Sequence, residues 1–136
     1  MAVRYLLDTN ICIYIAKHNP PAVRTRFEHH AANELAMSVV TLRELRHRAE
    51  RSQAREKALA TLRHLEASIQ VTPLTETAGQ HYGQIRASLE TRGQPIGNND
   101  LWIAAHARSQ GWILVTNNER EFTLVEGLQV GNWVLD

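Results

Sequence analysis

At 136 residues, 43% of them apolar and 21% charged, with a net charge of +1, the chain has the composition of one soluble globular domain spanning 1–136. It has no run of the roughly eighteen apolar residues that a membrane span needs. Its start, Met1-Ala2-Val3-Arg4-Tyr5, has none of the regions of a signal peptide, and the lone Cys12 cannot close an internal disulfide, so a cytoplasmic location without a membrane partner is expected. The near-neutral charge excludes an overwhelming electrostatic pull on nucleic acid. Even so, thirteen arginines stand against only Lys17 and Lys57, and Arg43, Arg46, Arg48, Arg51 and Arg55 form one local basic patch. Taken alone, that patch reads as a solvated helix face paired with Glu44, Glu50 and Glu56.

Tyr5 to Leu7 predicts a strand, and Asn10 offers a cap for a helix that carries Ile11 to Ile15 and ends near His18-Asn19-Pro20-Pro21. A second helix is expected from Pro21 to about His30, with Val23 and Phe27 inward. Leu35 to Val39 reads as a short strand, with Ser38 or Thr41 capping a helix whose apolar stripe is Leu42, Leu45 and Ala49. Leu59, Leu62, Leu65 and Ile69 mark a helix from Arg55 to Ile69, followed by an extended Gln70 to Leu74 and a helix from Thr75 to Thr91. The turn-rich Gly93 to Asn99 leads into a buried helix that starts at Asp100 and ends at Gly111. Trp112 to Thr116 predicts a strand, and Leu128 to Val130 and Trp133 to Leu135 predict final extended segments. Strands alternating with helices imply an α/β domain with a mainly parallel sheet, whose ligands gather beyond the carboxyl ends of the strands.

Only three aspartates occur, and Asp8 and Asp100 both adjoin apolar segments. A carboxylate taken from water must meet a cation, a donor or a metal. Each acid also has an ordinary explanation: a turn acid for Asp8, a first-turn dipolar acid for Asp100, and a surface pair with Arg48 for Glu44. Asn98 and Asn99 already offer caps for the helix that Asp100 enters, which weakens its ordinary explanation. All three acids fall at strand ends or helix starts, where a hard divalent cation such as magnesium or manganese would relieve their mutual repulsion. The histidines show no His-x-x-x-His pair, His29, His30 and His106 read as surface or helix-filling residues, and no nucleophile elbow or phosphate loop is present.

Four blocks then resemble, in order, the PIN-domain ribonucleases, and specifically the VapC toxins of bacterial toxin–antitoxin pairs. These are Leu6-Leu7-Asp8-Thr9-Asn10, Ser38-Val39-Val40-Thr41-Leu42-Arg43-Glu44-Leu45, Pro95 to Ala105, and Leu114-Val115-Thr116-Asn117-Asn118 followed by Arg120-Glu121-Phe122. The resemblance implies a PIN-like three-layer α/β fold and a magnesium-dependent (or manganese-dependent) hydrolysis of RNA phosphodiesters. It makes Asp8, Glu44 and Asp100 the metal-binding carboxylates, supported by Asn10 and Thr116. It also implies a VapB-type antitoxin whose C-terminal arm wraps the toxin, with the helices over Asn10 to Ala16 and Arg55 to Ile69 as candidate groove and as candidate homodimer surface. The Thr116-Asn117-Asn118 ending resembles members that cut initiator tRNA in its anticodon loop.

Two positions depart from the family pattern. Asn118 stands where many PIN domains carry an aspartate, so either three acids suffice or Glu121, rather than Glu119, supplies the fourth. Arg48 stands where the family usually has glycine, close enough in sequence to Glu44 to reach a substrate phosphate or to occupy the site itself. The rival readings are a catalytically dead RNA- or protein-binding module and a house-keeping RNA-processing nuclease.

Overall fold

The central strand forms where the apolar run predicts it, at Tyr5–Leu7 (β1), and the sheet grows outward on both sides. In this computed structural model, which describes residues 2–134, the other strands are Leu35–Ser38 (β2), Gln70–Thr72 (β3), Ile113–Val115 (β4) and Gln129–Gly131 (β5). They form one sheet in the order β3-β2-β1-β4-β5 with every pairing parallel. The chain builds one half of the sheet from β1 through β2 to β3, then returns to add β4 and β5 on the other side of β1. Such a reversal leaves a crevice at the carboxyl ends of the two strands that flank it.

Alternation along each strand sends neighbours to opposite faces and makes two cores. Leu6, Ala36 and Leu114 face one cluster, which also holds Ile85, Leu89, Ile103 and Phe122. Leu7, Leu35, Met37 and Val115 face the other, with Ile11, Ile15, Val23, Leu62 and Leu65. The helices are Thr9–Lys17 (α1), Pro21–Glu28 (α2), Val39–Glu50 (α3), Arg55–Ser68 (α4), Glu76–Thr91 (α5), Asn98–Gln110 (α6) and the short Glu119–Phe122 (α7). Helices α5 and α6 cover the first face, and α1, α2 and α4 cover the second. Val40 and Leu45 commit opposite sides of α3 to different cores. The α/β three-layer expectation holds.

Some boundaries differ from the expected ones for physical reasons. Asn10 does not cap α1: Asp8 is the N-cap, its carboxylate accepting from the Ile11 amide, and Asn10 is the exposed second helical residue. A carboxylate directly after the strand is one step closer to the free amides of the first turn. Nor do Asn98 and Asn99 cap α6, which starts at Gly97 without a side-chain cap, because both asparagines are engaged elsewhere. Trp133 belongs to no strand. Its ring is buried and stacks on His30 at 5.3 Å, while the Asn132 side chain accepts from the Val134 amide and turns the chain. Leu135 lies outside the described residues. The 3₁₀ turn at Ala32–Glu34 and helix α7 are both too short to show a period in sequence.

Candidate active site

Asp8 leaves β1 and is 4% exposed, with both carboxylate oxygens taken. Oδ1 accepts from the Ile11 amide at 2.9 Å and Oδ2 from the Thr116 hydroxyl at 2.5 Å. Thr116 follows β4, so this bond joins the two strands at the point where the chain reverses, and the Asp8 amide adds a bond to the Val115 carbonyl at 3.0 Å. Burial pushes the Asp8 carboxyl up to about 6; the bonds from Thr116 and Ile11 and the nearby Asn10 amide pull it down, and the charge of Glu44 pushes it up again.

Glu44, on α3, is not held by Arg48. Among the described residues it enters no ion pair, and its Oε1 accepts from the Thr9 hydroxyl at 2.7 Å. The same hydroxyl stands 3.2 Å from that of Thr41. Thr9 is a residue that sequence reasoning missed. Its one signal was its place directly after Asp8, and its purpose shows only once α3 lies across the start of α1.

Asp100 sits in the first turn of α6, half-buried, and hydrogen-bonds Glu121. Its carboxyl is pushed up to about 7, by burial first, then by Glu121, then by the charges of Asp8 and Glu44. Glu121 is in turn fixed by the Asn118 side-chain amide at 2.5 Å, and the Asn118 backbone donates to the Thr116 hydroxyl at 2.9 Å. Glu119 points away, accepting from Asn132 at 3.2 Å. Asp8, Glu44, Asp100 and Glu121 therefore meet at one end of the sheet, with Thr9, Thr116 and Asn118 holding them. Asn10 is brought near only through its backbone, and its side chain makes no hydrogen bond among the described residues.

Among the described residues no three acids, histidines or cysteines stand close enough together to hold a metal ion as their side chains are placed. What the acids form is an open, all-oxygen end in which each charge disfavours the next, as the raised Asp8 and Asp100 carboxyls record. That donor set fits a hard cation which retains most of its own waters, and it does not fit a sulfur- or nitrogen-seeking one. Cys12 is no rival nucleophile, since it is fully buried and burial pushes its thiol far up.

Arg48 is exposed and makes no ion pair with Glu44 among the described residues. It lines a groove of about 600 Å³ between α1, α3 and α4, floored by Ile13, Leu45, Ala58 and Leu62 and rimmed by Lys17, Arg48 and Lys57. One turn of α3 separates it from Glu44, so the two stand on the same side of the helix, Arg48 at the edge where that side meets the groove.

Residues 5–128 match the PIN domain family. The chain is 45% identical over 131 residues to the tRNA(fMet)-specific endonuclease VapC of Shigella flexneri, covering 96% of this chain and 98% of that one. Its fold superposes with a TM-score of 0.91 on DNA-bound VapBC from Salmonella typhimurium at 39% identity, covering 96% and 98% of the two chains. VapBC-1 from nontypeable Haemophilus influenzae gives a TM-score of 0.89 at 38% identity, covering 97% and 99%.

Proposed function

This chain belongs to the PIN-domain family, among the VapC ribonucleases, and from that membership we propose that it is a single-domain, divalent-metal-dependent endoribonuclease, the toxin of a toxin–antitoxin pair acting in the cytoplasm. The observation that carries the reading is the meeting of Asp8, Glu44, Asp100 and Glu121 where the sheet reverses, each acid held by a named donor or by another acid. Asp8, Glu44 and Asp100 would hold the cation, magnesium or manganese, with Glu121 as fourth acid in place of an aspartate at position 118. A cation held there would supply Lewis-acid polarisation of a phosphoryl oxygen and a lowered pKa for an attacking water.

The chain's own groups prepare that step. Thr116 and the Ile11 amide pin Asp8 in one orientation, so its carboxylate does not swing away. Thr9 does the same for Glu44, and Asn118 for Glu121. Burial and then the neighbouring Glu121 push the Asp100 carboxyl up to about 7, so its neutral form limits the repulsion within the cluster near neutral pH; a cation held there would favour the ionised form.

The Shigella relative is named for tRNA(fMet), which supports an initiator tRNA as substrate, cut in its anticodon loop. The Salmonella and Haemophilus neighbours are VapBC complexes, which supports a VapB-type antitoxin as partner. The groove between α1, α3 and α4 suits one amphipathic arm of that antitoxin, apolar side inward and acidic residues toward Lys17, Arg48 and Lys57.

The test is to incubate the purified chain and its Asp8→Asn variant with total RNA, with and without magnesium, and to sequence the new ends. Magnesium-dependent cleavage by the wild type alone, with ends in one tRNA, is the expected result. Equal cleavage by both proteins would remove the catalytic assignment, and scattered ends would remove the tRNA target.

A further inference from the structure

An end of the sheet carrying four carboxylates repels the very phosphate it is to cleave, so some cation of the protein must offset that repulsion at the approach. Arg48 lines the groove, and the other arginines can be compared by what holds them. Arg86 is committed to Glu90 and to the Tyr82 hydroxyl, and Arg92 to the Leu124 carbonyl. Arg43 differs: it is exposed and precedes Glu44 in α3, and among the described residues it has no carboxylate partner. Its Nη2 instead donates to the side-chain oxygen of Asn99, the residue immediately before Asp100. A guanidinium has five N–H donors, and this bond uses one.

From this placement, and resting on the ribonuclease reading above, we infer that Arg43 is the substrate-phosphate contact of the acidic site, aimed by Asn99 so that its remaining donors face a backbone phosphate of the bound RNA. The tether explains why an asparagine sits at position 99 when it caps nothing: a neutral acceptor orients the guanidinium without cancelling its charge, as a carboxylate there would. A bidentate fork on a phosphate oxygen pair is the geometry that arginine, and not lysine, provides. The exposed Arg120, which neighbours Glu121 on α7 but makes no hydrogen bond or ion pair among the described residues, is the internal control for a merely nearby charge.

The experiment compares the wild type with Arg43→Ala, Arg43→Lys and Arg120→Ala on a short single-stranded RNA. It records kcat and KM at several salt concentrations and, separately, magnesium affinity by calorimetry. Arg43→Ala should raise KM about tenfold and lower the slope of log affinity against log salt by about 0.7, the loss of one phosphate contact on a single strand. Arg43→Lys should recover the salt slope but not all of KM. Arg120→Ala should leave the slope unchanged, and magnesium affinity should stay within about twofold throughout.

An unchanged KM and slope in Arg43→Ala overturns the inference, as does a fall in magnesium affinity with KM unchanged, which would make Arg43 a support for Asp100 through Asn99. If Arg120→Ala reproduces the Arg43→Ala effect in full, the charge is unspecific and the inference also fails. Asp8→Asn distinguishes the two levels. An inactive Asp8→Asn beside an unaffected Arg43→Ala sinks the phosphate contact alone, whereas a wild type that neither binds nor cleaves RNA removes the ribonuclease reading with it.

Discussion

The acidic end of the sheet and the groove between α1, α3 and α4 are built from the same two helices and have opposite chemistry. In α1, the cap Asp8 and the first residue Thr9 serve the acids, while Ile13, Ala16 and Lys17 line the groove one to two turns later. In α3, Arg43 and Glu44 face the acids, while Leu45, Arg48 and Ala49 face the groove. A helix turns by about 100° per residue, so adjacent side chains can be given to separate tasks. The acidic end is polar, pinned by short hydrogen bonds and charged against itself; the groove is apolar with a basic rim and holds nothing in place. In the function proposed above, one region takes a small cation and a phosphate, and the other a length of chain. Helices shared in this way also put an occupant of the groove within two turns of the acids, close enough to obstruct RNA.

The sharpest separation of the two regions is expected from Asp100→Asn. It removes one charge from the cluster and keeps nearly the same shape, so folding should persist while magnesium-dependent cleavage falls by about 10³-fold. Partner binding at the groove should not change. Single-turnover cleavage and a binding titration on the same preparation give both readings, and a variant that cleaves at the wild-type rate would remove Asp100 from the site.

The support shared by both regions is predicted to be sensitive to acid. Ser38 caps α3, its hydroxyl accepting from the Val40 amide at 3.1 Å, and lies 2.9 Å from His106 Nδ1 on α6. His106 is fully buried, its Nε2 has no hydrogen-bond partner among the described residues, and burial pulls its pKa down to about 4. Because the folded value lies below the ordinary 6.5, the unfolded chain binds more protons between pH 6.5 and 4. The stability from His106 is therefore complete above pH 6.5 and lost as pH falls toward 4, by about 3 kcal/mol over the full interval. The raised carboxyls of Asp8 and Asp100 work the other way in the metal-free protein: their contribution is present at low pH and lost as pH rises through about 6 and about 7. The measurement is thus the difference between wild type and His106→Leu in denaturation midpoint at pH 7 and pH 4.5. The variant should lose less on acidification, and equal losses would show that His106 is not what fails.

Much of the scaffold that positions these regions could be read from sequence, and most of what tunes them could not. The apolar run ending at Asp8, the Leu62/Leu65/Ile69 spacing of α4 and the left-handed Gly111 that closes α6 are local signals, and they locate their elements to within a residue or two. Local rules could not choose between Asp8 and Asn10 as the cap, because both residue types satisfy the same preference and only the path of the strand decides. Thr9, which holds Glu44, and Asn99, which holds Arg43, depend on contacts between α1 and α3 and between α3 and α6, 35 and 56 residues apart in sequence. Arg48 stands one turn from Glu44, as its spacing implies, but that it also borders a groove depends on how α1 and α4 pack beside α3.

The groove should respond to an introduced charge without a cost to catalysis. Ala58 lies on α4 in the groove floor, and Ala58→Glu places a carboxylate on an apolar surface where a partner's side chains would pack. Affinity for the antitoxin arm should fall by about thirtyfold, the scale of a single hot-spot loss of about 2 kcal/mol. RNA cleavage by the free toxin should be unchanged. A parallel fall in cleavage would mean that the two regions are not separable.

The smallest effect is expected at the fourth acid, and it bears most on how the acidic end is composed. Glu121→Gln keeps a side chain of the same length that can still meet Asn118, but it removes one of the charges that lift Asp100. If Glu121 serves the cation, magnesium affinity should fall about tenfold, in the range of a lost group supporting the ligands. If it only burdens Asp100 with like charge, the same substitution should lower the Asp100 pKa and leave magnesium affinity equal or better. Calorimetric titration at pH 8, where Asp100 is ionised in both proteins, separates these outcomes because the Asp100 proton no longer contributes. Cleavage at the wild-type rate with undiminished affinity would leave a site of three acids, with Asn118 and Glu121 as the wall behind Asp100.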